Sequence, residues 1–576
     1  MRLHRGLLAG LVVVTLLLAT VGWVGFRARQ TRGYLLSAAE LARDLGGQVV
    51  GGDADRARRT LAALQEQAAA ARAATEGPSW SLGRRVPVAG DDLTAVRQIA
   101  VAVDELARRA FPRLLGVELT TLLPRDGRLD LSALRSAERE LAGADAVVRE
   151  NVTRLHGVST GGLAADVRSA LTGLRGEVDR LAGVTGAASR GAALLPRLLG
   201  ADEARDYLLV SQNLAELRAT GGMFGAYTVI RAEGGRVRIV KQGTAAQLGP
   251  FTPPLPGISP EMRGLYTDLP GIYPADVNLT PHFPTAAALY RDMVRRRTGT
   301  TVDGVLAIDP VALSYLLAAT GPVQVPGFGQ LTGGTVVREL LADSYLRLDL
   351  NEQDDFFARS AAAIFDAFLT RAVEPRGLLS AFNRSIAERR ILLWSAHPEE
   401  QREIGESRIA GTLPEREDRP TVGVFLNDGS GAKLGYYLKP NASLTVGGCR
   451  PDGRRELRLT VSLRSSVPRS GLTSSVLGLA RAGDPYVVRT LVNVFSPAAG
   501  TVVRVRLDGA ETPVGSGTER SRRVVIANVE VAPGRTRILE ADLLTAPTEI
   551  GEAELWLTPT ATPWTTHIQS ASRCDQ

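Results

Sequence analysis

The feature that most constrains this chain is an uncharged apolar run near its start. In "MRLHRGLLAGLVVVTLLLATVGWVGFRARQTR", Arg2 and Arg5 are followed by no charge from Leu7 to Phe26, and then by Arg27, Arg29 and Arg32. A helix needs roughly 20 apolar residues to cross the hydrocarbon of a bilayer. A cleaved signal has a shorter apolar region and a small-residue cleavage site. The run therefore predicts a retained transmembrane helix from Leu7 to Phe26 within an anchor segment, residues 1–32, and places Trp23 at the interface. Arginines flank both ends, so charge does not orient it. The two cysteines, Cys449 and Cys574, lie far from the run. An even number in the C-terminal third suits one disulfide in an oxidising compartment, two buried thiols being the alternative. These readings predict a single-pass protein of the cell membrane with most of its chain extracytoplasmic.

A chain of 576 residues exceeds what one hydrophobic core supports. Three grammars follow the anchor. Residues 33–198 read as a helical stalk or bundle, with Leu61, Leu64, Ala68 and Ala71 on one face of a helix and Val96, Ile99, Val103 and Leu106 on another. Val167, Leu171, Leu174, Val178 and Leu181 form a third stripe near a heptad seam. Residues 199–419 alternate strand and helix signals, which implies an α/β unit with a helix-covered sheet. "DYLLVS" and "VDGVLAID" read as buried strands, "AYTVIRAEGGRVRIV" as a hairpin, and "FPTAAALYRDMVRRR" as an amphipathic helix. Residues 420–576 carry strands only, as in "ELRLTVSL" and "RRVVIANVEVAPG", whose period of two between turn residues fits a β-sandwich. The predicted class is multidomain α+β.

Chemistry-bearing motifs are few. The net charge of +7 is spread along the chain with no basic stripe interleaved with aromatics, which argues against a nucleic-acid partner. "GVSTG", around Ser159, matches a nucleophile elbow in letters, but it joins two helices rather than a strand and a helix. The five histidines have no metal-ligand spacing. One stretch stands apart: "NLAELRATGGMFGAY" breaks a strand pattern with a polar cluster. Asn213 and Glu216 have the spacing of a capping box. Thr220, Gly221 and Gly222 can turn backbone N–H groups toward an anion, which Arg218 would bind as a fork. The competing reading pairs Glu216 and Arg218 with the protein itself.

"YLLVSQNLAELRATGGMFGAYTVI", "NLTPHFPTAAALYRDM", "VDGVLAIDPVALSYLLAATGPVQVPG", "RRILLWSAHPEEQ" and "GVFLNDGSGAKLGYYL" resemble the bacterial family catalogued as domain of unknown function 4012. More distantly, the order strand, hairpin, helix, "VDGVLAID", helix, "TGPVQV" is similar to the LytR-CpsA-Psr family. That resemblance implies an envelope protein that binds or transfers a polyprenyl-phosphate-linked polysaccharide with magnesium. In that family an Arg-Asp pair follows the hairpin; the stretch here, "IVKQGTAAQ", offers Lys241. A second family motif falls near "YLRLDLNEQDDFFARS", which offers Arg347 and Arg359 to the ligand and Asp349, Asp354 and Asp355 to the metal. Two functions follow as expectations: a phosphotransferase of cell-envelope polysaccharide, or a non-catalytic scaffold or binding module that keeps the fold without the metal site.

Overall fold

The computed structural model describes all residues except 1, 52, 87–88, 372, 479–482, 548–550 and 570–576; for residues 2–22, 24 and 49–51 it describes the backbone alone. The chain divides into two compact units. The first, residues 1–123 with 130–198, is helical. Its helix Arg2–Gly51 runs unbroken through the expected anchor and on into the bundle, where Ala38 and Leu45 pack with Ala57, Leu61, Leu64 and Ala68. The expected stripes are largely where the bundle buries them: Ile99, Leu106, Leu171 and Val178 share a second core, with Val167, Leu174 and Leu181 against it. Asp53 and Asp130 cap helices Ala54–Ala74 and Leu131–His156 by accepting backbone N–H groups. Helix Gly90–Glu105 widens into a π turn over Leu106–Ala110 just before Pro112. Proline lacks an N–H, and its ring clashes with the carbonyl four residues back, so one wider turn absorbs it.

Two expectations are corrected. Among the described residues no helix is long and apolar enough to cross a membrane. The side chains of the run from Leu7 to residue 22 lie outside the described residues, and the described remainder of that helix carries Arg27, Arg29, Arg32, Glu40, Arg43 and Asp44. The transmembrane anchor and the single-pass, extracytoplasmic localisation built on it are therefore withdrawn. No disulfide joins two described residues either. Cys449 closes a strand at the surface and is not a free thiol, and Cys574, with the pairing assigned to it, lies outside them.

The second unit, residues 124–129 with 199–576, holds three sheets of five or six strands and a small two-stranded ribbon. The first contains β1 (Arg205–Arg218), β2 (Gly221–Glu233) and β3 (Arg236–Thr244), which form a meander. β4 (Gly304–Ile308) lies parallel to β1. The ribbon is β5 (Val323–Val325) with β6 (Gly329–Leu331), and β7 (Ile391–Ser395) closes the first sheet in the order β3-β2-β1-β4-β7. Helix Phe283–Thr298, started by Pro284 and stopped by left-handed Gly299, buries Phe283, Ala287, Tyr290 and Val294 on this sheet against Leu208, Val210, Phe224, Val229 and Val305. The hairpin turn places Gly234 and Gly235 at positive φ, the conformation a tight connection needs.

The other two sheets stack as a sandwich. One contains β8 (Thr421–Asp428), β11 (Val488–Phe495), β14 (Gly515–Glu519), β15 (Arg522–Val531) and β17 (Glu554–Leu557). Its partner contains β9 (Leu438–Cys449), β10 (Arg455–Ser465), β12 (Thr501–Leu507), β13 (Ala510–Glu511), β16 (Thr536–Leu544) and β18 (Thr565–Gln569). β10 alternates as its sequence does, with Leu457, Leu459, Val461 and Leu463 inward. β8 differs: all of its residues but the last are buried. Val422, Val424 and Leu426 face the sandwich core, while Phe425, on the other face, joins Ala219, Leu413, Phe495, Val524 and Trp556. A strand that is apolar on both faces needs two partners, and the α/β layer is the second.

Candidate functional site

The polar cluster of "NLAELRATGG" lies on β1 itself. Pairing with β2 slips by one residue between Ser211–Ala226 and Gln212–Phe224, continues to Asn213–Met223 and then jumps to Leu217–Gly222, so Leu214, Ala215 and Glu216 bulge out of the ladder. Asn213 starts the bulge by accepting the N–H of Ala215 at 3.1 Å, an Asx turn. Gly222 makes it sterically possible: a Cβ there would stand 2.1 Å from the carbonyl carbon and oxygen of Asn213. Gly221, at φ 142°, completes the turn. The two glycines thus open space for the chain's own backbone.

The charged groups of the cluster find their partners inside the protein, whereas the buried Gln212 Nε2 and Asn278 Oδ1 make no hydrogen bond among the described residues. The Arg218 guanidinium donates to Asp276 at 2.8 Å and to the carbonyls of Ala275 and Leu217 at 3.1 and 2.9 Å. Glu216 pairs with Lys433 at 2.9 Å, and the Lys433 ammonium lies 5.2 Å from the centre of the Tyr345 ring. Asn213 donates to the Tyr345 hydroxyl at 2.9 Å. Thr220 donates to Gln212 at 2.7 Å, and buried Asn278 donates to the Thr220 hydroxyl at 2.8 Å and to the Gly222 carbonyl at 2.9 Å. The bulged Leu214 and Ala215 pack with Val311 and Leu341. Burial pushes the Asp428 carboxyl, at the end of β8, above its ordinary value, and nearby Arg218 opposes the rise.

The remaining predicted residues are dispersed. Lys241 is exposed on the edge strand β3. Arg347 is exposed and pairs with Glu339. Arg359 pairs with Asp355 at 2.7 Å and lies over Phe328. Asp349 accepts the N–H of Glu352 as the N-cap of helix Leu350–Thr370, in a capping box. Asp354 is exposed on that helix. These carboxylates do not form a cradle for magnesium, and among the described residues no group of three or more His, Cys, Asp or Glu could hold a metal ion. They share one helix start rather than a pocket with Arg218.

In open α/β sheets, ligands bind in the crevice outside the carboxyl ends of parallel strands. Here that end of β1 is the bulge, and that end of β4 is Asp309. Asp309 caps helix Pro310–Thr320 and pairs with Arg390 at 3.0 Å, both side chains being almost fully buried. Burial pushes the Asp309 carboxyl up, against the pull of Arg390. Arg390 also donates to Glu388 at 2.6 Å and to the Thr560 carbonyl at 3.2 Å. Arg389 reaches the Leu557 carbonyl at 3.1 Å, and Thr558 donates to the Ala219 carbonyl at 3.1 Å. The crevice is thus filled by the strand β17 region of the sandwich. The sequence carried one signal for this lock: the doublet in "AERRILLW" puts two arginines directly against a buried strand, where each needs an acceptor.

Fold and site together define an α/β sheet whose ligand end is bonded to the chain's own β-sandwich. Residues 202–345 match the family described as "Protein of unknown function (DUF4012)", in line with the sequence resemblance. No curated protein matches the chain. A solved structure from Legionella pneumophila, of a candidate nutrient-binding protein, is similar over 22% of this chain and 43% of that one, at 7% identity and a TM-score of 0.15. At that score the likeness carries no argument, and neither comparison adds to the LytR-CpsA-Psr resemblance.

Proposed function

We propose that this chain is a non-catalytic scaffold or binding module, a family fold whose ligand crevice has become an internal joint. The observation that carries the reading is the environment of Arg218. Its three contacting nitrogens are all engaged, by Asp276 and by two main-chain carbonyls, and its side chain is only 8% exposed. A guanidinium so engaged has no free fork to offer a phosphate. The Asp309–Arg390 pair and its bond to Thr560 support the same reading at the neighbouring strand end.

The test is binding and turnover with a polyprenyl pyrophosphate-linked oligosaccharide and magnesium, on the full chain and on Arg218→Gln. The expected result is no transfer to an acceptor and no saturable binding that depends on Arg218. Saturable binding that Arg218→Gln abolishes at unchanged melting temperature would return the transferase reading to first place.

A further inference from the structure

Arg389 is the least conventionally housed charge in the second unit. It sits at φ 58°, just past helix Pro375–Ala387, with its N–H bonded to the Ile386 carbonyl at 3.0 Å. That left-handed position after a helix usually takes glycine, because a Cβ is strained there. This residue is also 3% exposed. The guanidinium lies between two aromatic rings, 4.6 Å from the centre of Trp556 and 5.4 Å from that of Phe425, at the rim of the apolar cluster those rings share with Ala219, Leu413, Phe495 and Val524. One nitrogen donates to the Leu557 carbonyl. Nε and Nη2 are buried and donate to nothing among the described residues, and neither does the indole Nε1 of Trp556.

The charge is as unusual as the hydrogen bonding. Among the described residues the side-chain charge that acts on Arg389 is another cation, Arg408, and burial with this repulsion lowers the Arg389 pKa to about 9. Arg408 lies over the same Trp556 ring at 5.5 Å, and its carboxylate partner is Glu554. Two guanidiniums thus share one indole, and the carboxylate of Glu554 pairs with Arg408. The aromatic faces offset part of the desolvation of Arg389. They accept none of its in-plane N–H groups, and a water would take those bonds while leaving the charge uncompensated.

We propose that Arg389 and Trp556 form a buried binding site for a small monovalent anion of halide size. The anion accepts from Arg389 Nε or Nη2 and from the indole N–H, and balances the second guanidinium. The site ties β17 to the end of helix Pro375–Ala387, so its occupancy would tune how firmly the sandwich holds the sheet.

Bromide is the probe. Crystals of the full chain grown in sodium bromide should show an anomalous peak, at the bromine edge, in contact with the Arg389 guanidinium. In solution, replacing gluconate by bromide at constant ionic strength should raise the melting temperature saturably, by about 2 °C at ten times the dissociation constant for a unit of this size. Arg389→Gln should abolish that rise. Absence of the peak, or a halide response that survives in Arg389→Gln, would overturn the proposal and leave the two aromatic faces as the only counter-charge. Should Arg389→Gln fail to fold, the anomalous map and the bromide titration of the native chain decide.

Discussion

Replacing Arg218 by methionine separates the two readings of the bulged strand most cleanly. The native side chain is 8% exposed and its partner Asp276 is 18% exposed. Removing the guanidinium leaves the Asp276 carboxylate and the carbonyls of Ala275 and Leu217 without their donor. Breaking a buried ion pair costs roughly 3–5 kcal/mol, because the surviving charge stays desolvated. Water can still reach Asp276 in part, so the lower end applies, about 3 kcal/mol. Unfolding entropy of about 2.1 cal/mol/K per residue then converts this to a fall of roughly 4 °C in the melting temperature of the second unit. Calorimetry of the native chain, Arg218→Met, Asp276→Leu and the double variant measures it. The two single losses should exceed the loss of the double variant by about 1–3 kcal/mol, since the second change removes the stranded partner. An Arg218→Met protein that melts like the native chain, with strictly additive changes, would refute the idea that Arg218 is committed to the fold.

Three further outcomes are expected. Gly222→Ala should destabilise the second unit by about 3 kcal/mol, since the new methyl meets the Asn213 backbone and no flexible side chain can yield; urea unfolding followed by circular dichroism checks this. Arg390→Met should cost about 3–5 kcal/mol by stranding Asp309, and hydrogen exchange should then accelerate at Leu557, Thr558 and in the first turn of helix Pro310–Thr320. Burial, aided by Arg520, holds the His282 pKa down at about 3, so the folded state keeps this ring neutral while the unfolded chain protonates near pH 6.5. The unfolded state therefore binds the extra proton between those values. The His282 contribution is complete above about pH 6.5 and falls away with acidity, by about 2 kcal/mol at pH 5. His282→Asn, which keeps a cap for Thr285, should flatten the slope of stability against pH in this window; an unchanged slope would assign the acid sensitivity elsewhere.

What the sequence made legible follows from which interactions are local. The period-two pattern of "ELRLTVSL" needs only one buried face, and β10 has one. Pro310 and Asp309 mark the start of their helix within three residues, through a side-chain bond to Ala312. The stripes of the bundle likewise depend on spacing along one helix. The long helix Arg2–Gly51 marks the limit of such reasoning: length and apolarity over Leu7–Phe26 suggested an end in the bilayer, whereas the described part of the same helix carries charges of both signs and packs Ala38 and Leu45 into a bundle.

The polar cluster fails to declare itself for a different reason. A glycine pair, an arginine and a glutamate look alike whether they greet a ligand or another part of the chain, because the residue chemistry is identical. The deciding partners are Asp276, Asn278 and Lys433, of which Lys433 lies more than two hundred positions away along the chain. What distinguishes the cases is completeness. At Arg389 two guanidinium nitrogens and the neighbouring indole N–H are unspent, whereas each guanidinium nitrogen of Arg218 is engaged. On that criterion the place to look for a ligand moves from the glycines of β2 to the arginine at the end of helix Pro375–Ala387. The buried donors there still need an acceptor that the described residues do not supply.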